Sequence, residues 1–166
     1  MSLNSAAFRP HNERKVMVMS RLDRVLEKDA RSWVRDNWTS GVFFTEHALG
    51  GTKGISDCHL LLPRRMTPCE LKRGEIVKDG FTFELRKAQR DYHRECHQYG
   101  IGTIFLMTVE GLMKGTIGQK VVSHYGSWPF RMWVGIHTHG DVVCLVNESW
   151  KLASRPHLVQ EDDPDG

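Results

Sequence analysis

The sequence predicts an α/β protein with a central mixed β-sheet flanked by helices. Three observations carry that expectation. Apolar residues recur at helical spacing in two segments, and shorter apolar blocks of strand length lie around them. The two kinds interleave as helix, strand, strand, strand, helix, strand, the signature of a mixed sheet with helices packed on it. A length of 166 residues suits one domain with a real core.

Residues 1–19 show no clear period, and Arg9, His11, Arg14 and Lys15 make them a basic N-terminal arm. Residues 20–37 are expected to be helical. Ser20 can cap the start, and Leu22, Val25, Leu26, Ala30, Trp33 and Val34 form one apolar stripe. Val42 to Thr45 has strand-forming residues, and Gly50 to Gly54 reads as a loop. Ile55 to Leu62 and residues 67–72 are expected to pair as a hairpin turned at Pro63-Arg64-Arg65. Residues 73–82 read as a polar connection.

A second helix is expected from Phe83 to Tyr99, with Leu85, Ala88, Tyr92, Cys96 and Tyr99 near one face and Gly100 ending it. Gly102 to Val109 reads as a buried strand. Glycines break up residues 110–135, and Val142 to Val146 is expected to be a last strand paired with Trp133 to His137. The organisation predicted is an arm (1–19), a domain (20–150, core 20–109 and a C-terminal elaboration 110–150) and an acidic, disordered tail (151–166).

Charge points towards an anionic partner. The net charge is +3, but Glu161, Asp162, Asp163 and Asp165 crowd the end, so the remainder is more basic than the total. Arg64-Arg65, Lys72-Arg73, Arg86-Lys87, Arg90 and Arg94 fall in the middle, a distribution that suits nucleic acid. No apolar run spans a bilayer, and the first twenty residues have no apolar leader region, so a cytoplasmic protein without membrane contact is expected. The four cysteines, Cys58, Cys69, Cys96 and Cys144, form no C-x-x-C pair and are expected to be reduced, mostly buried thiols.

The chemistry is concentrated in Gly54-Ile55-Ser56-Asp57 and Pro68-Cys69-Glu70-Leu71-Lys72. Side chains alternate along a strand, so Glu70 and Lys72 share one face while Cys69 and Leu71 take the other. In a hairpin, Asp57 comes to lie beside Glu70. Two adjacent carboxylates repel unless a cation lies between them, and hard oxygen ligands favour Mg²⁺ or Mn²⁺. The carbonyl of Leu71 could add an oxygen. Such an ion can activate water and neutralise charge on a phosphate, and Lys72 can stabilise the crowded phosphate. His93 and His97, at i and i+4, could face one ion, but a half-exposed helical face is the expected reading.

These motifs resemble the PD-(D/E)XK nuclease superfamily, most closely the Holliday-junction resolvases of the RecU type and the virus-type replication-repair nuclease (VRR-NUC) domains. The resemblance rests on a helical Glu27, the glycine-led run to Asp57, Glu70-Leu71-Lys72, and Gln89 on the following helix, and it spans residues 20–109. Ser56 stands where that family often has Pro. The resemblance implies a restriction-endonuclease-like core with Asp57, Glu70 and the Leu71 carbonyl as ligands of Mg²⁺ or Mn²⁺. It gives Lys72 a role in hydrolysis, with Glu27 and Gln89 as further members of the active site. It also implies a DNA substrate, branched or duplex, and a homodimer. The small size and compact motif set suit a phage-encoded enzyme acting in the host cytoplasm. Lys53, Arg64, Arg65, Arg86, Lys87 and Arg90 are the expected DNA contacts. The alternatives are a less selective or restriction-type nuclease, and a non-catalytic DNA-binding module on the same fold.

Overall fold

β3 (Arg65–Arg73) shows why this chain makes a sheet. Its Cys69 and Leu71 enter an apolar cluster on one face, while Glu70 and Lys72 meet helix α2 (Lys87–Gln98) on the other. The computed structural model describes residues 30–45, 54–78, 80–125 and 130–155. Within them, β3 pairs on one side with β2 (Cys58–Leu62), antiparallel, and on the other with β6 (Ile104–Val109), parallel.

The β2–β3 hairpin is closed by Leu62 opposite Arg65, with Pro63 and Arg64 as a two-residue turn. Arg64 takes the left-handed conformation at φ 62°. Pro68 sits mid-strand without breaking the ladder. It faces His59, and β6 joins β3 only from Cys69 onward, so the missing N–H leaves no ladder partner stranded.

The full sheet has six strands, in the order β1 (Val42–Phe44), β2, β3, β6, β7 (Leu112–Ile117) and β8 (Val134–Gly135). The β3–β6 pair is the parallel one and the rest are antiparallel. The chain is thus α/β with a mixed sheet flanked by helices, as the sequence predicts. β6 is buried at every position. Its Ile104 and Leu106 join Val34, Leu60, Val142 and Val146 on one face, and its Phe105 and Met107 join Phe81, Phe83 and Trp133 on the other. A strand covered on both sides reads as a continuous apolar run, which is how the sequence presents it.

The first face is covered by helix α1 (residues 30–37, the described part of the segment expected at 20–37) and by α4 (His139–Ala153). The second is covered by α2, the short α3 (Gly118–Ser123) and a small hairpin of β4 (Glu75–Val77) and β5 (Gly80–Thr82). No helix among the described residues is long and apolar enough to cross a membrane.

Several expectations are corrected. Val142 to Val146 is helical, within α4, and β8 pairs with β7 instead. Thr138 is the reason: its hydroxyl accepts from Asp141 N, and Asp141 Oδ2 accepts from the N–H groups of His137 and Thr138, a capping box that starts a helix. α4 also runs past Trp150 to a buried Ala153, so residues 151–153, expected in the tail, are helical, and residues 156–166 lie outside the described residues. Residues 73–82 hold the β4–β5 hairpin rather than a plain connection. β2 starts at Cys58, not Ile55.

α2 begins at Lys87 rather than Phe83. Residues 83–86 are outside the helix, with Phe83 and Leu85 buried and Glu84 and Arg86 exposed, a strand-like alternation. The buried face of α2 is Gln89, His93, Cys96 and His97, while Tyr99 is 76% exposed. The half-exposed histidine face expected at His93 and His97 is therefore an interior one. Cys58, Cys69 and Cys96 are buried, Cys144 is exposed, and all four are free thiols.

A candidate active site at one end of the central hairpin

The strand alternation that sends Cys69 and Leu71 into the core turns Glu70 and Lys72 towards α2. Asp57 precedes β2 by one residue. Extending the Cys58–Cys69 register by one step sets Asp57 across from Glu70. A hydrogen bond fixes it there, because Leu71 N donates to Asp57 Oδ2 at 2.8 Å. Gly54, at φ 94°, allows the approach: a Cβ there would collide with the main chain of Ala88 on α2.

Glu70 has no solvent exposure, and its carboxylate is held by charged and polar groups. Lys72 Nζ lies 3.3 Å from Glu70 Oε1, and Gln89 Nε2 donates to the same oxygen. Gln89 Oε1 in turn accepts from Lys72 Nζ at 2.9 Å and from Arg86 N at 3.1 Å. Gln89 thus ties the first turn of α2 to the strand pair. Glu70 Oε2 points inward, 3.7 Å from His93 Nε2, without a hydrogen-bond partner.

These groups border a cleft of about 750 Å³, whose lining includes Asp57, Glu70, Leu71, Lys72, Arg86 and Gln89. Arg73, Glu75 and Glu84 complete its charged wall. Four carboxylates (Asp57, Glu70, Glu75 and Glu84) therefore outnumber three cations (Lys72, Arg73 and Arg86) around it. A phosphate entering such a cleft meets net repulsion unless a cation bridges it to the acids. Among the described residues no cluster of three or more His, Cys, Asp or Glu side chains gathers to hold a metal. Two carboxylates with water and a main-chain oxygen still fit Mg²⁺, which keeps much of its hydration and takes one or two carboxylates.

No family model matches the chain, and no curated protein matches it.

The remaining expected site residues are placed as follows. Lys87 lies on the exposed first turn of α2, paired with Asp91 at 2.6 Å. Arg90 lays its guanidinium over the Tyr125 ring at 4.8 Å. Arg64 and Arg65 are at the other end of the hairpin. Arg65 is five residues from Glu70 along β3, about 17 Å at roughly 3.3 Å per residue. There it reaches Asn147 at 3.3 Å and lies over Trp150 at 5.5 Å. Glu27 and Lys53 lie outside the described residues.

Sequence reasoning missed His93 and Ser56 as neighbours of the site. Ser56 Oγ is 3.4 Å from His93 Nε2, and both residues are fully buried. A signal was present: His93 follows Gln89 by one helical turn, so both must face the same way.

Proposed function

We propose that this chain is a metal-dependent endodeoxyribonuclease that hydrolyses DNA phosphodiester bonds. One observation carries the reading: Asp57, Glu70 and Lys72 border a single cleft, with Lys72 Nζ 3.3 Å from Glu70 Oε1 and Asp57 tied to the next residue of β3. A buried carboxylate beside an amine, joined by a second carboxylate at a cleft, is more than a core needs.

In this reading Asp57, Glu70 and the Leu71 carbonyl would hold Mg²⁺ or Mn²⁺. The chemistry such an ion supplies is activation of water and neutralisation of phosphate charge. Lys72, kept in place by Gln89, stabilises charge that grows on the phosphate in the transition state. Arg73 and Arg86, on the cleft wall, bind neighbouring phosphates. The resemblance to junction resolvases favours branched DNA, and cutting two opposed strands would need a homodimer with two clefts related by a twofold axis.

The test is cleavage of plasmid, linear duplex and four-way junction, each with Mg²⁺ and with EDTA. Metal-dependent cutting is expected, with the junction preferred, and Asp57→Asn and Glu70→Gln are expected to stop it while DNA binding survives. Equal cutting of all three substrates would leave a less selective or restriction-type nuclease. DNA binding without cutting would leave a non-catalytic binding module.

A further inference from the structure

His93 occupies an unusual place. It has no solvent exposure, yet it lies between the two halves of the candidate site. Its Nε2 is 3.7 Å from Glu70 Oε2 and 3.4 Å from Ser56 Oγ. Ser56 is the residue immediately before Asp57 and is itself fully buried. One imidazole therefore reaches the acid on β3 and the segment that carries the acid before β2.

The surroundings leave the ring little freedom. It contacts Phe105 with ring centroids 4.6 Å apart and meets the Tyr92 ring edge-on at 5.5 Å. Its Nδ1 has no hydrogen-bond partner. Nε2 faces a carboxylate oxygen and a hydroxyl, so the tautomer with its proton on Nε2 is favoured. The Ser56 segment is also anchored from β1's side, since Thr45 Oγ1 donates to Ser56 O at 2.6 Å and Thr45 N to Asp57 O at 2.9 Å. Meanwhile Gln89, one turn earlier on α2, holds Glu70 Oε1. Gln89 thus bonds one oxygen of the carboxylate, and His93, one turn later, faces the other across 3.7 Å.

We infer that His93 is a positioning residue which, through Ser56 and Glu70, sets the spacing of the Asp57 and Glu70 carboxylates for a divalent cation. Ser56 supplies the hydroxyl that faces Nε2. The inference rests on reading Asp57 and Glu70 as metal ligands, and His93 itself touches no metal or substrate. Groups behind metal ligands commonly govern affinity through orientation.

The experiment is calorimetric titration of the full chain with Mn²⁺ alone, with melting temperature recorded for each variant. His93→Leu is expected to weaken Mn²⁺ binding roughly tenfold or more, and His93→Gln, which keeps an N–H donor, to recover most of the affinity. Ser56→Ala is expected to weaken it in the same direction. A lower melting temperature with unchanged affinity in His93→Leu would make the residue merely structural and overturn the inference. Should His93→Leu fail to fold, unchanged affinity in Ser56→Ala overturns it instead. Asp57→Asn separates the two levels. Mn²⁺ binding that survives Asp57→Asn removes the metal site and this inference together. Binding lost in Asp57→Asn but intact in the folded His93 and Ser56 variants removes this inference alone.

Discussion

At the scale of single residues, Glu70 is a carboxylate with no solvent-exposed surface, and its stability depends on the charged and polar groups packed against it. Lys72 is the cation nearest to it, with its own side chain only 12% exposed. Removing one member of such a pair strands the other charge. Lys72→Met is therefore expected to destabilise the fold by roughly 3–5 kcal/mol. Glu70→Gln added to Lys72→Met should recover most of that loss, since no charge is left stranded. Urea denaturation of the two single variants and the double variant measures the coupling, and simple additivity would show that the pair does not interact. His97 gives a second residue-scale prediction. Burial, with His93 close by, lowers its pKa from 6.5 to about 4, and Thr103 Oγ1 lies 3.0 Å from its Nε2. The unfolded chain then binds the proton more readily between those values. The stability due to neutral His97 is complete above about pH 6.5 and is lost as pH falls towards 4, at up to roughly 1.4 kcal/mol per pH unit. His97→Gln should flatten the stability profile in that window, as read from urea midpoints at several pH values.

At the scale of elements, α4 depends on how its first turn is closed. Thr138→Ala leaves the Asp141 amide without its acceptor and is expected to cost about 1 kcal/mol. Thr138→Ser should cost little, and thermal melts of both variants decide the point. The same turn shows what the sequence made legible. Thr138-His139-Gly140-Asp141 is a readable capping box, yet Val142, Val143 and Val146 have the residue types of a strand. A short apolar run of β-branched residues does not tell a buried helix from a buried strand by periodicity. The start and buried face of α2 differ from expectation for a related reason. Its buried face is Gln89, His93, Cys96 and His97, a mostly polar set, whereas the apolar residues Leu85, Ala88, Tyr92, Cys96 and Tyr99 mark a different face that shares only Cys96 with it. Glu70 and Lys72 were legible because the two-residue alternation of a strand does not depend on what surrounds it. Asp57 was legible because a hairpin fixes its partner across the turn. For His93 only the direction was legible, one helical turn after Gln89, since its approach to Glu70 exists only once α2 lies on β3.

At the scale of the whole molecule, the site and the C-terminal part share one sheet and one apolar cluster, although the sequence invites a core of residues 20–109 with an elaboration after it. β6, which pairs beside β3, has β7 on its other edge. The face of the sheet opposite the cleft is sealed by α4, whose Val142, Leu145 and Val146 join the main cluster. The fit is close: a Cβ on Gly102 would stand 2.6 Å from Trp150 N, and one on Gly115 would stand 2.8 Å from Leu145 Cδ2. Each large apolar side chain in such a contact is worth about 1.5–3 kcal/mol. Losing three of them, and exposing the sheet residues beneath, costs an amount comparable to the roughly 5–15 kcal/mol that holds a domain of this size together. A chain ending at residue 137 is therefore expected to lose cooperative unfolding, and with it the Asp57–Glu70 arrangement on the far side of the sheet. The measurement is a urea titration followed by circular dichroism and tryptophan fluorescence, alongside Mn²⁺ binding. A truncated chain with a sharp, coincident transition and full Mn²⁺ affinity would show that α4 is dispensable and that the N-terminal part folds alone.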